Sequence, residues 1–112
     1  MINKQSSAHY LWGENCDSWV LTDTEGLSIK QESMPGGTKE KLHFHSKAQQ
    51  FFFVLHGIAT MYVDAKREIL REHQGLLVMP GVKHFIANET MKPLGFLVIS
   101  QPNNNNDRTN IE

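Results

Sequence analysis

The sequence predicts an all-β fold, either a sandwich or a barrel. From Trp19 onward, short β-type segments follow one another at regular spacing and are separated by turn residues. No segment between them repeats its apolar residues at the spacing of a helix. With 112 residues, the chain is long enough for one domain with its own core.

The turn residues set the bounds of the predicted strands. Residues 23–26 form the first turn, and Pro35-Gly36-Gly37 breaks the chain after the second strand. The predicted strands span residues 19–22, 27–33, 42–45, 50–55, 58–63, 68–71, 76–79, 84–87 and 94–100.

Two of these strands differ in how their side chains alternate. In residues 27–33, apolar and polar side chains alternate with the period of a half-buried strand. Residues 51–55 (Phe-Phe-Phe-Val-Leu) are apolar on both faces. One face must fill the interior, and the other needs a cover from an opposing sheet or from a second protomer.

The chain is expected to divide into three parts. We expect residues 1–18 to form an N-terminal arm, residues 19–100 a β-barrel domain and residues 101–112 a polar tail. The tail contains four consecutive asparagines and cannot bury a core of its own. It is expected to be either disordered or pinned by a few contacts, for example through Arg108.

Composition argues against several classes of protein. The chain has 11 basic and 12 acidic residues, so no basic face is implied, and neither nucleic acid nor a membrane is an expected partner. The first ten residues are polar, unlike a signal peptide, and the longest apolar stretch is too short to span a bilayer. Cys16 is the only cysteine, which excludes an internal disulfide and suits a reducing, cytoplasmic location.

Three of the six histidines have the arrangement of a metal site. His43 and His45 share one face of a predicted strand because strand side chains alternate with a period of two, and Phe44 points to the other side. His84 begins a later strand after a Pro-Gly turn that can direct it inward. Imidazole is the commonest protein ligand for transition metals. The His-x-His pair alone is equally compatible with two exposed histidines.

The residues around the first pair resemble the first motif of the cupin superfamily. That motif is usually a glycine, five residues, His-x-His, three or four residues, a glutamate, six residues and a glycine. Here the anchors are Gly37, His43, His45, Gln50 and Gly57. The spacing fits throughout, and Gln50 stands where the family usually has glutamate.

A second stretch is similar to the second cupin motif, which is usually a glycine, five residues, Pro-x-Gly, two residues, a histidine, three residues and an asparagine. Gly81, His84 and Asn88 match its last three anchors. His73 and Met79 occupy the first glycine and the proline positions, although a glycine and a proline lie within two residues of them.

The resemblance, which covers about residues 27–100, implies a double-stranded β-helix, also called a jelly-roll barrel. It also implies that His43, His45, Gln50 and His84 occupy the four metal-ligand positions, holding one divalent transition metal ion (Zn, Fe, Ni, Mn or Cu). Asn88 looks like a structural anchor of the same motif. The other histidines, His9, His56 and His73, are expected to be exposed or structural.

Glutamine at position 50 changes the charge expected at the site. Because an anionic ligand is replaced by a neutral one, the metal affinity should fall and the Lewis acidity of the bound metal should rise. Gln50 can coordinate through its amide oxygen or leave an open position, as catalytic centres do. A barrel that binds its ligand without metal is the alternative.

Two classes of function remain open. The first is a metal-dependent enzyme acting on a small polar substrate, of the dioxygenase type with Fe or Cu, or of the isomerase type with Zn, Mn or Ni. The second is a module that captures a small ligand, such as a carbohydrate or a carboxylate, without catalysis. A homodimer is expected because of the doubly apolar strand at residues 51–55 and the polar arm, which can reach a partner.

Overall fold

The computed structural model describes residues 1–111 and contains eleven β-strands in two antiparallel sheets. One sheet has the strand order β1-β2-β3-β10-β5-β8, and the other has the order β11-β4-β9-β6-β7. The strands are β1 (Ala8–Trp12), β2 (Cys16–Asp23), β3 (Ser28–Met34), β4 (His43–His45), β5 (Gln49–His56), β6 (Ala59–Val63), β7 (Lys66–Leu70), β8 (Gly75–Val78), β9 (His84–Ala87), β10 (Leu94–Gln101) and β11 (Arg108–Asn110). The prediction of an all-β fold is confirmed. Residues 1–111 include no helix with the length and apolar character needed to cross a membrane.

The apolar core lies between the two sheets. In the six-stranded sheet, β5 and β10 pair with each other and contribute Phe52, Val54 and Phe96, which are 3%, 0% and 0% exposed. The five-stranded sheet contributes Met61 and Ile86. Full burial of one such side chain stabilises the fold by about 1.5–3 kcal/mol. These contacts hold the two sheets together beneath the site.

The strand that is apolar on both faces is β5. Its inner face fills the core, as expected, whereas Phe51 on the outer face is 37% exposed and Phe53 is half-buried. Phe53 stacks on the ring of His73, with ring centroids 6.1 Å apart. In the cross-strand register Phe51 faces Leu77 of β8, which is also exposed. The outer face of β5 and β8 therefore presents an apolar patch.

Strand β3 alternates as predicted, and its polar side chains are the ones that point into the barrel. Ser28 is buried, and Lys30 and Glu32 line an internal cavity, while Ile29 lies on the opposite face. The cross-strand register pairs Glu32 with the buried Phe96 of β10. Polar residues are tolerated inside because this end of the barrel encloses a cavity instead of packed core.

The segment predicted as an N-terminal arm contains strand structure. β1 and the first residues of β2 lie within residues 1–18, and the two strands pair along their lengths. The first strand was expected to begin at Trp19, but β2 begins at Cys16, which is fully buried as a free thiol. β1 occupies the sheet edge, and its first four residues are exposed, so it lacks the alternation that marks a half-buried strand. The cytoplasmic location expected from Cys16 stays a prediction.

The tail was expected to be either disordered or pinned by a few contacts, and its described residues are pinned to the barrel. Strand β11 pairs with β4, so that Arg108 lies opposite His45 and Asn110 opposite His43. Just before β11, the carboxylate of Asp107 accepts hydrogen bonds from the backbone N–H groups of residues 46, 47 and 48, at 2.9–3.0 Å. The tail thereby covers the free edge of the strand that carries two of the histidines.

Gly57 connects the two sheets in a backbone conformation that residues with a side chain rarely adopt. Its φ is +84°, and a Cβ atom at this position would lie 2.5 Å from the carbonyl oxygen of Pro93. Glycine reaches this left-handed region without penalty and allows the close approach. The chain can therefore pass directly from β5 in one sheet to β6 in the other.

Candidate metal centre

Strand β4 directs two histidines into the barrel. His43 and His45 are 2% and 3% exposed, whereas Phe44 between them is only half-buried. The opposite orientation of neighbouring side chains in a strand accounts for this difference. The predicted alternation around His-x-His is confirmed.

The third histidine faces the first across the sheet. His84 is the first residue of β9, and it is the direct antiparallel partner of His43. The turn before it is tied to β4, because the N–H of Gly81 donates a hydrogen bond of 2.7 Å to the carbonyl of His45. Gly81 has a φ of +81°, which suits glycine in this turn. The turn thus aims His84 inward, as expected.

The three imidazoles are close enough to bind a single ion. One ring nitrogen from each of the three lies within 4.8 Å of the others. The ring centroids are 4.4 Å apart for His43 and His84 and 5.1 Å apart for His43 and His45. The three side chains come from two neighbouring strands, so the sheet itself sets their spacing.

Backbone carbonyls fix the orientation of two of the rings. Nδ1 of His43 donates to the carbonyl of Lys41 at 2.7 Å, and Nδ1 of His84 donates to the carbonyl of Val82 at 2.8 Å. In a neutral imidazole, Nε2 then carries a lone pair available to a metal. Nδ1 of His45 is buried and has no hydrogen-bond partner among residues 1–111.

Burial keeps the three histidines in the neutral form that binds metals. Burial lowers the pKa of His43 to about 3, although the hydrogen bond to Lys41 opposes the shift. Burial likewise lowers the pKa of His45 to about 4 and lowers the pKa of His84. No proton has to be displaced from these rings at neutral pH before an ion can bind.

Gln50 lies beside this cluster on β5 and is 5% exposed. Its Nε2 donates to Oγ of Ser100 at 3.0 Å, and its Oε1 lies 3.0 Å from Nε2 of His84. Because Nδ1 of His84 carries the proton, these last two atoms are both acceptors. Either rotation of the amide or a cation bound between the two acceptors satisfies them. The donor set therefore fits a metal ion.

A cavity of about 680 Å³ extends from His43 and Gln50 towards the barrel mouth. Its walls combine aromatic, charged and amide side chains. Among them are Tyr10, Trp12, Lys30, Glu32, Asn104 and Arg108. Burial raises the pKa of Glu32, although Ser18 and nearby cations oppose the shift. The cavity is large enough for a small polar molecule next to the histidines.

Glu40 is a site residue that the sequence patterns missed. Its side chain is 11% exposed, and Oε1 lies 3.9 Å from Nε2 of His43. Burial raises the pKa of Glu40 to about 8, against the opposing effect of Arg108. Glu40 belongs to no predicted strand, and it stands at a motif position with no assigned residue type, so nothing in the sequence marked it.

The protein-family model of the cupin domain matches residues 30–100 of this chain, which is more than half of its length. The chain belongs to the cupin family. An uncharacterized protein of Methanocaldococcus jannaschii is 26% identical to this cupin over 84 residues, which are 75% of this chain and 67% of that protein.

Solved structures share the fold of this cupin at low sequence identity. An RmlC-like cupin from Shewanella frigidimarina superposes with a TM-score of 0.85 at 17% identity, covering 94% of this chain and 92% of that one. A predicted oxalate decarboxylase from Thermotoga maritima has a TM-score of 0.84 at 14% identity, covering 91% and 98% of the two chains. KdgF from a Halomonas species has a TM-score of 0.84 at 11% identity, covering 94% of each. These likenesses establish the jelly-roll fold alone.

The last anchor of the second cupin motif has a structural role. Asn88 is fully buried, and its Nδ2 donates to the backbone carbonyls of Met34 and Lys92 at 2.9 and 2.7 Å. It thus joins β3 to the loop before β10.

Of the remaining histidines, His9 contacts Asp17 in the β1–β2 hairpin, and neither His56 nor His73 is buried.

Replacing His45 with asparagine should flatten the pH dependence of stability in the metal-free protein. The unfolded chain protonates His45 near its ordinary pKa of 6.5, whereas the folded chain protonates it only near pH 4. The free energy of unfolding of the wild-type protein therefore falls as the pH falls from about 6.5 to about 4. In the variant this slope is smaller, by up to about 1.4 kcal/mol per pH unit. Urea unfolding at a series of pH values measures both slopes. Equal slopes would show that His45 titrates normally in the fold.

Proposed function

We propose that this cupin is a metal-dependent enzyme that acts on a small polar substrate. The observation that carries the proposal is the convergence of three buried, neutral histidines, one of which, His43, lines a cavity of about 680 Å³ together with Gln50. A structural metal site is normally closed by protein ligands, whereas a catalytic site opens onto space for a substrate. The arrangement here is of the second kind.

The proposed ligands are the three histidines and Gln50. His43 and His84 offer Nε2, since their Nδ1 atoms donate to backbone carbonyls, and Gln50 offers its amide oxygen. One divalent transition metal ion is expected, and imidazole-rich sites accept Zn, Fe, Ni, Mn or Cu. When bound, such an ion supplies Lewis acidity and, in the case of Fe or Cu, redox chemistry with dioxygen.

The cavity walls bear the groups that orient a polar substrate. Lys30 projects from β3, and Arg108 projects from β11, on opposite sides of the cavity. Their basic side chains can bind an anionic or hydroxyl-rich molecule next to the metal. Phe52 lies beneath, with its ring 5.9 Å from that of His84, and keeps the inner end of the cavity apolar. A dioxygenase or an isomerase reaction fits this combination.

A second candidate is the capture of a small ligand without catalysis. It is favoured by the walls, which combine two aromatic side chains of the β1–β2 hairpin, Tyr10 and Trp12, with charged ones. Aromatic faces combined with charged groups are suited to a carbohydrate or a carboxylate. Under this alternative, ligand binding would persist after metal removal, whereas the enzyme would lose turnover.

Removal of His84 should abolish metal binding, and Gln50→Glu should strengthen it. His84→Ala removes one of three imidazole donors, and the expected loss exceeds the roughly 100-fold upper range for outer-shell changes. Gln50→Glu adds an anionic ligand, with an expected gain of about tenfold, or ~1.4 kcal/mol. Elemental analysis and competition with a chromophoric chelator measure both. A wild-type protein that holds less than a tenth of an equivalent of metal after reconstitution would contradict the metal centre.

Oxygen consumption should separate the two enzymatic chemistries. The Fe(II)-loaded protein is incubated with a panel of thiols, diketones and flavonols while dissolved dioxygen is recorded. Uptake that depends on one substrate and is lost in His84→Ala is the outcome expected of a dioxygenase. Absence of uptake across the panel, together with turnover by the Zn or Mn form, is expected of an isomerase. Ligand binding that persists without metal and without turnover would favour the binding module.

The protein is also proposed to form a homodimer through the outer face of β5 and β8. Phe51 and Leu77 are cross-strand partners there, exposed by 37% and 49%, and a second copy of the same face would cover both. Light scattering should give a dimer for the wild type and a monomer for Phe51→Glu. Ile69→Glu is the matched control, because Ile69 is 38% exposed on the other sheet. A monomeric wild type would refute the dimer.

A further inference from the structure

Glu40 is a buried carboxyl group that lines the same cavity as His43. It precedes His43 by three residues and lies just outside the three-histidine cluster. Its Oε1 is 3.9 Å from Nε2 of His43. Since Nδ1 of His43 donates to Lys41, the free lone pair of this ring is on Nε2, the nitrogen nearest Glu40, at a distance too long for a direct hydrogen bond.

The two oxygens of Glu40 contact β9 and β11, the strands on either side of β4. Oε1 accepts a hydrogen bond of 3.2 Å from the N–H of Ile86, two residues beyond His84 on β9. Oε2 lies 3.6 Å from Nη1 of Arg108, which is the cross-strand neighbour of His45. The position of the carboxyl group is therefore coupled to the strands that set the spacing of the imidazoles.

The charge of the site points to what this carboxyl group does. Three neutral imidazoles and the amide of Gln50 offer no negative charge to a divalent ion, and burying an uncompensated charge is unfavourable. We propose that Glu40 supplies the negative charge that position 50 lacks, as a carboxylate beside the metal ion. This inference rests on the proposed metal centre and assigns a positioning role to a residue outside the four expected ligands.

Distance and environment support this assignment. Opposite charges about 4–6 Å apart in a partly buried site interact strongly, and Oε1 of Glu40 lies 3.9 Å from the nitrogen that His43 offers to the ion. The main-chain N–H of Glu40 also donates to the carbonyl of Ile86 at 3.1 Å, so the residue is anchored through its backbone and its side chain. A compensating charge outside the donor cluster leaves a coordination position free for a substrate.

The chain provides a matched control in Glu32. Glu32 is a second carboxyl group that lines the same cavity, and it projects from β3 on the opposite sheet. Glu32→Gln removes the same kind of carboxyl group from the same cavity as Glu40→Gln does. A comparison of the two variants therefore separates a specific position from a general effect of charge.

The test measures Zn²⁺ affinity by competition with a chromophoric chelator, and the visible absorption spectrum of the Co²⁺ form. Glu40→Gln should weaken Zn²⁺ binding by about 10- to 100-fold, as changes next to metal ligands do, and should alter the Co²⁺ spectrum. Glu32→Gln should change the affinity by less than about threefold on the same scale. Adding Gln50→Glu to Glu40→Gln should restore the affinity, because a carboxylate returns to the site.

Each outcome bears on a different part of the proposal. Equal affinities and Co²⁺ spectra for Glu40→Gln and Glu32→Gln would overturn the role of Glu40 and leave the metal centre intact. A wild-type protein that binds no metal would remove the centre itself. If thermal unfolding shows that Glu40→Gln does not fold, Glu40→Asp carries the test, because it keeps the charge but withdraws it by one methylene. Weaker binding by Glu40→Asp supports the proposal, and unchanged binding contradicts it.

Discussion

The antiparallel pairing of β4 with β9 brings His43 directly opposite His84, and the other features of the site are arranged around that pair. Burial of these rings is tolerated because each donates its Nδ1 proton to a backbone carbonyl and stays neutral. The turn before β9 hydrogen bonds to β4, and β11 covers the other edge of β4. A strand of only three residues is thereby held on both sides, which gives the imidazoles a fixed separation.

The charged residues of the cavity depend on the same arrangement. Arg108 reaches Glu40 because the tail pairs with β4, and Glu40 reaches His43 because its backbone joins β9. The polar tail, which has no apolar pattern, thus contributes through Arg108 to the electrostatics around the histidines. In the proposed metal centre, the neutral Gln50 is accompanied by a carboxyl group at position 40, which is not the position where the cupin motif places its glutamate.

Whether a strand or a site residue could be predicted depended on whether it leaves a recognisable pattern in the sequence. Strands such as β5 and β10 were found because each is a short apolar run bounded by turn residues. β1 was missed because an exposed edge strand has no apolar face and so shows no alternation of apolar and polar residues. The alternation of β3 was recognised, but the polar face is the one that points inward, where it lines a cavity. The His-x-His pair and His84 were recognised from spacing, whereas Glu40 was not, since its position depends on contacts with residues 46 and 68 places further along the chain.

The sequence by itself determined the all-β class, the turn glycines, the inward orientation of His43 and His45 and the substitution of glutamine at position 50. These are local properties, set by strand alternation and by the conformational freedom of glycine. Only the tertiary structure decided that His84 faces His43, that the tail is pinned and that the polar face of β3 points into the cavity. Those outcomes depend on which strands pair across long stretches of chain, and the register of such pairs is a property of the whole barrel. The three histidines were visible in the sequence, and the carboxyl group beside them became visible only in the fold.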